Sequence, residues 1–451
     1  MIKLKENVRL KLDIRKQGIN GEGIAYYNRM AIFVPGAIRK EVVEVEITKV
    51  LDHYAEAKVL SIIRPSKKRV QPRSSSVKGS QTYQLEHIEY KEQLKIKQLI
   101  IEQTMKRFSS LENVKGLVDK TLHGSLEWGY QNQAVYRFVN HNFGLTLAVY
   151  NPIENDFVEV KENLLVNQEI NQIANLAIDK LKAYKLKAYD TRNQEGQLLY
   201  LLIRYVKETD SASVVFVLNE KSRGIEKVAE DMIHRFQSIQ SIGYCLHHRS
   251  SHKLLANPVH ILAGKDTIKA LFHGEEIEVS PRGVFPKNQE VFELVDELIL
   301  KETGLTKTDQ LLNLYQYSTL SSLYFAAHVK KVVSVDYFDA SINDAKTNQL
   351  LLKRKNIQWV ASHVESTLKE LLSQDIQVLN IYAPKNGCGF KVFNLIQKYV
   401  PKQVVYISEN PSAMAKDVDQ LLNLYRVKKI VPVDALPQTA AIESVIFLER
   451  K

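Results

Sequence analysis

Short runs in which apolar and polar residues alternate open the chain: Val8-Arg-Leu-Lys-Leu, Ala31-Ile-Phe-Val, Val42-Val-Glu-Val-Glu-Ile and Glu56-Ala-Lys-Val-Leu. Gly18, Gly21, Gly23 and Pro35-Gly36 punctuate them. Period-two runs with glycine turns predict a small antiparallel β-barrel over 1–63. From Tyr90 to Arg107 the spacing changes to that of a helix, through Leu94, Ile96, Leu99, Ile100 and Met105, so 90–109 is expected to be one long helix. Residues 110–285 mix strand-like pieces such as Ala134-Val-Tyr-Arg-Phe-Val and Val214-Val-Phe-Val-Leu with helical patterns near 168–184 and 224–237, an α+β domain. Residues 286–451 alternate strands and helices, with strands at Gln310, Val332, Ile357, Val378, Val404 and Ser444. That order predicts an α/β, doubly wound, mainly parallel sheet.

Composition changes this picture little and charge changes it more. The 451 residues are 45% hydrophobic, enough for several cores. No run of eighteen apolar residues and no basic-then-apolar leader occurs, so neither a membrane span nor a signal peptide is expected, and a cytoplasmic location follows. Two cysteines, Cys245 and Cys388, make neither a disulfide framework nor a four-ligand metal site. Of the formal charge of +11, residues 1–100 carry +9. The basic linker 64–89 and the residues before it hold Lys58, Arg64, Lys67, Lys68, Arg69, Arg73 and Lys78, with no acid between 57 and 85. Such a run is either a solvated linker or a phosphate-binding surface. Tyr26, Tyr27 and Phe33 in the barrel are placed either to stack on bases or to pack its interior.

Several motifs resemble one family from end to end. Gly21-Glu-Gly-Ile-Ala25 and Ile32-Phe-Val-Pro-Gly-Ala37 resemble the TRAM domain, and Val405-Tyr-Ile-Ser-Glu-Asn-Pro-Ser-Ala-Met-Ala-Lys-Asp417 resembles the Ser-Cys-Asn-Pro-x-Thr-Leu-x-Arg-Asp signature of the S-adenosylmethionine-dependent RNA uracil-5-methyltransferases. The resemblance implies a TRAM barrel of oligonucleotide-binding type, a central RNA-binding domain and a Rossmann-like methyltransferase domain. It implies that helix 90–109 packs on the methyltransferase domain. The lead-in resembles the ribosomal RNA branch, so ribosomal RNA is the expected partner, with transfer RNA the alternative.

The chain departs from that family at the reactive positions. Glu409 stands where the family has its nucleophilic Cys, and a carboxylate is a weak nucleophile beside a thiolate. The glycine-rich cofactor turn is matched by Asn313-Leu-Tyr315-Gln316-Tyr317-Ser318-Thr319-Leu320, in which only Tyr315 agrees; no glycine occurs between 305 and 386. Pro286 replaces a cofactor-binding glutamine and Tyr382 an active-site aspartate. Ser74, Ser80 and Tyr83 occupy the positions of iron–sulfur cysteines. In Tyr130-Gln-Asn-Gln-Ala134 two glutamines replace the cationic RNA contacts of the family. Two remnants persist. Asp336, 23 residues beyond Asn313, matches the acid that holds the cofactor ribose, and Glu443 matches the proton-abstracting base, with Ala441 where the family has His. Cys388 and Cys245 read as structural thiols.

Three readings follow. The first is an RNA-binding pseudo-methyltransferase with no S-adenosylmethionine, no iron–sulfur cluster and no metal. The second is an active uracil-5-methyltransferase with an atypical site. The third is a protein-interaction scaffold paired with an active paralogue.

Overall fold

A lysine on the apolar stripe of the long helix organises the first part of the structure. The computed structural model describes residues 4–74, 83–141, 144–151, 156–247, 253–316 and 318–451. Lys78, Ser80 and Tyr317 lie outside the described residues. The chain forms two compact units, Met1–Glu127 with Lys385–Gly387 and Ile407–Ile446, and Trp128–Pro384 with Cys388–Tyr406 and Phe447–Lys451. Residues 407–446 thus cluster with the amino-terminal residues.

In the first unit, six strands run in the order Arg9–Asp13, Val42–Val50, Tyr54–Arg64, Met30–Val34, Gly23–Tyr27, Lys16–Gln17. Pairing is antiparallel except between Met30–Val34 and Tyr54–Arg64, which are parallel. Alternation decides the faces: Val43, Val45 and Ile47 are buried with Leu12, Ile32 and Val34, while Glu44 and Glu46 point outward. Gly21, at φ +85°, lets this sheet approach the following loop, since a Cβ there would lie 2.9 Å from Leu85 Cδ2.

The helix is Tyr90–Phe108, ended by Ser109, whose Oγ donates to the Met105 carbonyl. It lies against helix Pro411–Asp419 and strand Tyr425–Asp434. Its buried stripe includes Gln93 and Lys97 beside Ile96, Ile100, Ile101 and Met105. Lys97 Nζ sits 2.6 Å from Asp434 Oδ1, and both side chains are almost fully buried. Tyr90 Oη donates to the other carboxylate oxygen at 2.9 Å. Gln93 Nε2 donates to the carbonyls of Leu85 and Ile88 and to Gln438 Oε1, and Gln93 Oε1 accepts from the Gln438 N–H. One helix face thereby fixes both the loop 83–88 and the turn 434–440.

In the second unit, a seven-stranded sheet runs Asp156–Glu159, Gly144–Asn151, Gln133–His141, Leu198–Val206, Ser211–Leu218, Ile239–Leu246, His260–Gly264. Helices Gln168–Ala183 and Arg223–Arg235 pack on each other and on this sheet. Four parallel strands follow, side by side as Ile357–Ala361, Lys331–Asp336, Gln310–Leu314 and Val378–Tyr382. Gln310–Leu314 is central and the chain winds outward from it in both directions, so the crevice beyond its carboxyl end is the place where open α/β sheets bind ligands. Strands Gln403–Ser408 and Glu443–Arg450 each contribute residues to both units. Among the described residues no helix is long and apolar enough to cross a membrane.

The Lys97–Asp434 pair gives the first test. Lys97→Met strands a buried carboxylate and is expected to lose about 3–5 kcal/mol of stability, with Lys97→Met/Asp434→Leu recovering much of it; urea unfolding midpoints measure both.

Candidate functional site

The turn at 408–411 is built from its own side chains. Strand Gln403–Ser408 ends in Ser408, whose Oγ accepts from the Asn410 N–H at 3.0 Å. Asn410 caps helix Pro411–Asp419: its Oδ1 accepts from Ser412 N at 3.1 Å and Ala413 N at 3.2 Å. Pro411 then takes the first helical position, where its missing N–H costs nothing. Asn410 Nδ2 donates to the Lys385 carbonyl, and Gly387 (φ +88°) runs so close to Asp417 that a Cβ there would meet Oδ2 at 2.6 Å. Glu409 is left exposed on the turn. Glu443 opens strand Glu443–Arg450, half-buried. Burial first, and the negative charge of Glu409 second, push the Glu443 carboxyl up to about 7. The structure thus brings the two predicted catalytic residues into electrostatic contact.

In the second unit, the turn after Gln310–Leu314 is occupied by protein side chains. Asn313 is fully buried; its Nδ2 donates to Ser322 Oγ at 2.8 Å and its Oδ1 accepts from Asn380 Nδ2 at 3.1 Å. Ser322 Oγ donates onward to Gln316 Oε1. Tyr315 holds φ +54°, a left-handed conformation that side chains seldom adopt, and its hydroxyl donates to Glu365 at 2.6 Å. Thr319 Oγ1 donates to the Ser341 carbonyl. Tyr382 points into a buried cluster: its hydroxyl donates to Asp296 Oδ1 at 3.4 Å, alongside Ser321 Oγ at 2.7 Å. His273 Nε2 is 3.5 Å from Asp296 Oδ2, and its ring stacks on Tyr324 at 3.6 Å. Burial raises the Asp296 carboxyl against the pull of these donors. Asp336 lies at the end of Lys331–Asp336, with Oδ1 accepting from the Phe338 N–H at 3.0 Å.

Two other predicted positions have structural tasks. Gln133 Nε2 donates to the Phe285 carbonyl and Asn132 Nδ2 to that of Pro286, so the segment read as an altered RNA contact ties down the loop at 285–286. Ser74, at a cluster-cysteine position, is held by Glu86 through both its N–H and its hydroxyl, and Tyr83 is buried at 5% exposure. His87 is buried beside them, and burial, then the charge of Arg69, takes its imidazole down to about 4. Among the described residues no cluster of three or more His, Cys, Asp or Glu could hold a metal. Cys245 is fully buried and donates to the Asn257 carbonyl, and burial raises its thiol; Cys388 lies buried near Tyr406 Oη.

The basic stretch is less free than its sequence suggests. Arg69 forms a bidentate pair with Glu41, which is fully buried and also accepts from the Ser66 and Ile38 N–H groups. Burial raises the Glu41 carboxyl, but these donors outweigh it and hold it below the usual range. Arg69, its side chain 21% exposed, thus balances the buried Glu41 carboxylate. Lys58 pairs with Glu46 at 2.5 Å, Arg64 with Asp13 at 3.5 Å and Lys68 with Glu89 at 2.7 Å. Lys67 and Arg73 are exposed. Tyr26 is 47% exposed, Tyr27 packs partly on the barrel core, and Phe33 meets Tyr54 edge-on at 5.3 Å. Asp296, His273, Gln93 and Lys97 were not anticipated. For the last two a signal existed, a polar residue at each of two positions four apart on an otherwise apolar helix face.

Comparison with known proteins adds the following. Residues 3–60 match the TRAM domain and residues 285–451 match the family described as tRNA (Uracil-5-)-methyltransferase. An uncharacterized RNA methyltransferase of Enterococcus faecalis is 28% identical over 451 residues, 99% of each chain. One from Listeria monocytogenes is 28% identical over 454 residues, 99% of this chain and 98% of the other. The fold matches that of a Pyrococcus abyssi tRNA (uracil-54, C5)-methyltransferase in complex with S-adenosyl-L-homocysteine, with a TM-score of 0.76 at 20% identity over 97% of this chain and 100% of that one.

The Glu443 carboxyl makes a signed prediction. Its folded value of about 7 lies above the unfolded 4.5, so the stability it contributes is complete below pH 4.5 and lost as pH rises through 7. Glu443→Gln should remove that part of the pH dependence, at most about 3 kcal/mol before solvent screening, as measured by urea unfolding from pH 4 to 8; Glu409→Gln should lower the Glu443 midpoint in a carbon-detected NMR titration.

Proposed function

We propose that this chain, whose residues 3–60 match the TRAM domain and whose residues 285–451 match the tRNA (uracil-5-)-methyltransferase family, binds structured RNA without methylating it. The observation that carries this reading is the turn beyond Gln310–Leu314. Members of the family lay S-adenosylmethionine against a glycine-rich backbone there; here Asn313, Gln316 and Ser322 close on one another. Tyr315 is anchored to Glu365. These residues do not fit that cofactor, and the paired Ser74 and buried Tyr83 do not fit an iron–sulfur cluster.

The substituted catalytic positions support the same reading. Tyr382 replaces a charged aspartate and spends its hydroxyl on Asp296. Glu409 is a poor nucleophile for addition to a pyrimidine ring, and loss of a nucleophile from a hydrolytic triad costs roughly 10⁶ in turnover. Because separate duties are lost together while the core and turns remain consistent, the fold outlives the chemistry. RNA remains the partner through the barrel and the basic stretch. Ribosomal RNA is preferred to transfer RNA on the resemblance of the lead-in, and a cytoplasmic location belongs to the same reading.

One observation favours an active enzyme instead. Glu443, held near 7, is tuned as a general base working at neutral pH. Calorimetry decides: no saturable heat with S-adenosylmethionine is expected, and micromolar binding sinks the proposal. Glu409→Cys alone should transfer no methyl group from labelled cofactor to total RNA. For RNA binding, Lys67→Ala should weaken affinity evenly across sequences and reduce the salt slope by about one, whereas Arg69→Ala should chiefly lower the melting temperature, because Glu41 loses its buried partner.

A further inference from the structure

Asparagine followed by glycine occurs twice in the chain, at Asn20-Gly21 and at Asn386-Gly387, and the fold treats the two pairs differently. At the first pair the Gly21 N–H donates to the Gly18 carbonyl at 3.1 Å and Asn20 Nδ2 donates to Glu22 Oε1 at 3.4 Å. At the second, Lys385 and Asn386 form an exposed turn. Among the described residues neither the Asn386 side-chain amide nor the Gly387 N–H takes part in a hydrogen bond. Gly387 holds φ +88°, a conformation that glycine adopts freely, and it has no Cβ to shield its nitrogen.

We propose that Asn386 is a self-modification site. The Gly387 nitrogen gives up its proton to solvent and attacks Asn386 Cγ; the Cγ–Nδ2 bond breaks, and Nδ2 leaves as ammonia with a proton taken from water. Water then opens the resulting succinimide at either carbonyl. One opening gives aspartate, and the other gives isoaspartate, in which the main chain runs through Cγ. No oxidant or reductant takes part. At Asn20 the same ring closure has to break two hydrogen bonds first.

The place of Asn386 in the first unit gives the change a consequence. The Lys385 carbonyl accepts from Asn410 Nδ2 at 2.8 Å, and Asn410 caps helix Pro411–Asp419. On the other side, Gly387 is pressed against Asp417, where a Cβ would lie 2.6 Å from Oδ2. Isoaspartate adds one methylene to the main chain between these two anchors, so one of them has to give. Either product also puts a carboxylate in place of a neutral amide, lowering the formal charge of +11 by one. Neither effect depends on RNA binding.

The test ages the full-length chain in mildly alkaline buffer made with heavy-oxygen water and follows both Asn-Gly peptides by mass spectrometry. The peptide holding Asn386 should gain about 3 Da, from one heavy hydroxyl replacing an amino group, with isoaspartate recognised by electron-transfer fragmentation. It should convert about tenfold or more faster than the peptide holding Asn20, where two hydrogen bonds oppose the reaction. In denaturing urea the two should convert at similar rates. No conversion at Asn386, or equal rates at the two sites in the folded chain, overturns the proposal; a difference that persists in urea belongs to the flanking sequence and overturns the role of the fold. Asn386→Gln should stop the reaction and leave the melting temperature of the fresh chain unchanged. Aged wild type should melt below fresh wild type, while aged Asn386→Gln should not; complete conversion with an unchanged melt overturns the loosened anchor.

Discussion

The buried Lys97–Asp434 pair is the constraint on which the first unit depends. Taking a lysine and an aspartate out of water is unfavourable by several kcal/mol per ion, so the site persists only because every partner is in place. Asp434 receives Lys97 on one oxygen and Tyr90 on the other. Gln93, one turn before Lys97, is satisfied by Gln438, Leu85 and Ile88. Burial pulls the Lys97 ammonium downward, and Asp434 opposes that pull. The turn that carries Gln438 is thereby tied to the long helix. Gln438 satisfies Gln93 on both its oxygen and its nitrogen.

The same logic separates what could be read in the sequence from what could not. The barrel strands were legible because Val43, Val45 and Ile47 alternate with Glu44 and Glu46, and the long helix because its apolar residues recur every three or four. The central strand Gln310–Leu314 and its successors were legible as apolar runs between helices. By contrast, Arg69 looked like one more cation in a basic run, because its partner Glu41 lies 28 residues earlier and nothing local couples them. Asp296 looked like an ordinary helix acid; only the fold assembles His273, Ser321 and Tyr382 around it. Sequence periodicity reports which face is apolar, and it is blind to polar residues that satisfy one another across long separations.

Around the turn beyond Gln310–Leu314, Tyr382, Asn313 and Tyr315 each have a hydrogen-bond partner inside the protein, while Gln316 Nε2 and Asn380 Oδ1 are buried without one among the described residues. A substitution at any of these three residues therefore breaks an established contact as well as changing the local chemistry.

The separation of Lys97 from Asp434 also bears on how the chain is made. The two are 337 residues apart. At about 5–20 residues per second, a ribosome that has just released Lys97 needs on the order of 20–70 s to produce its counter-ion. During that interval the long helix exposes an apolar stripe interrupted by an unneutralised ammonium, which disfavours premature burial against the wrong surface. The lysine that is costly in the finished protein therefore has no counter-ion until the strand that completes its site has been made.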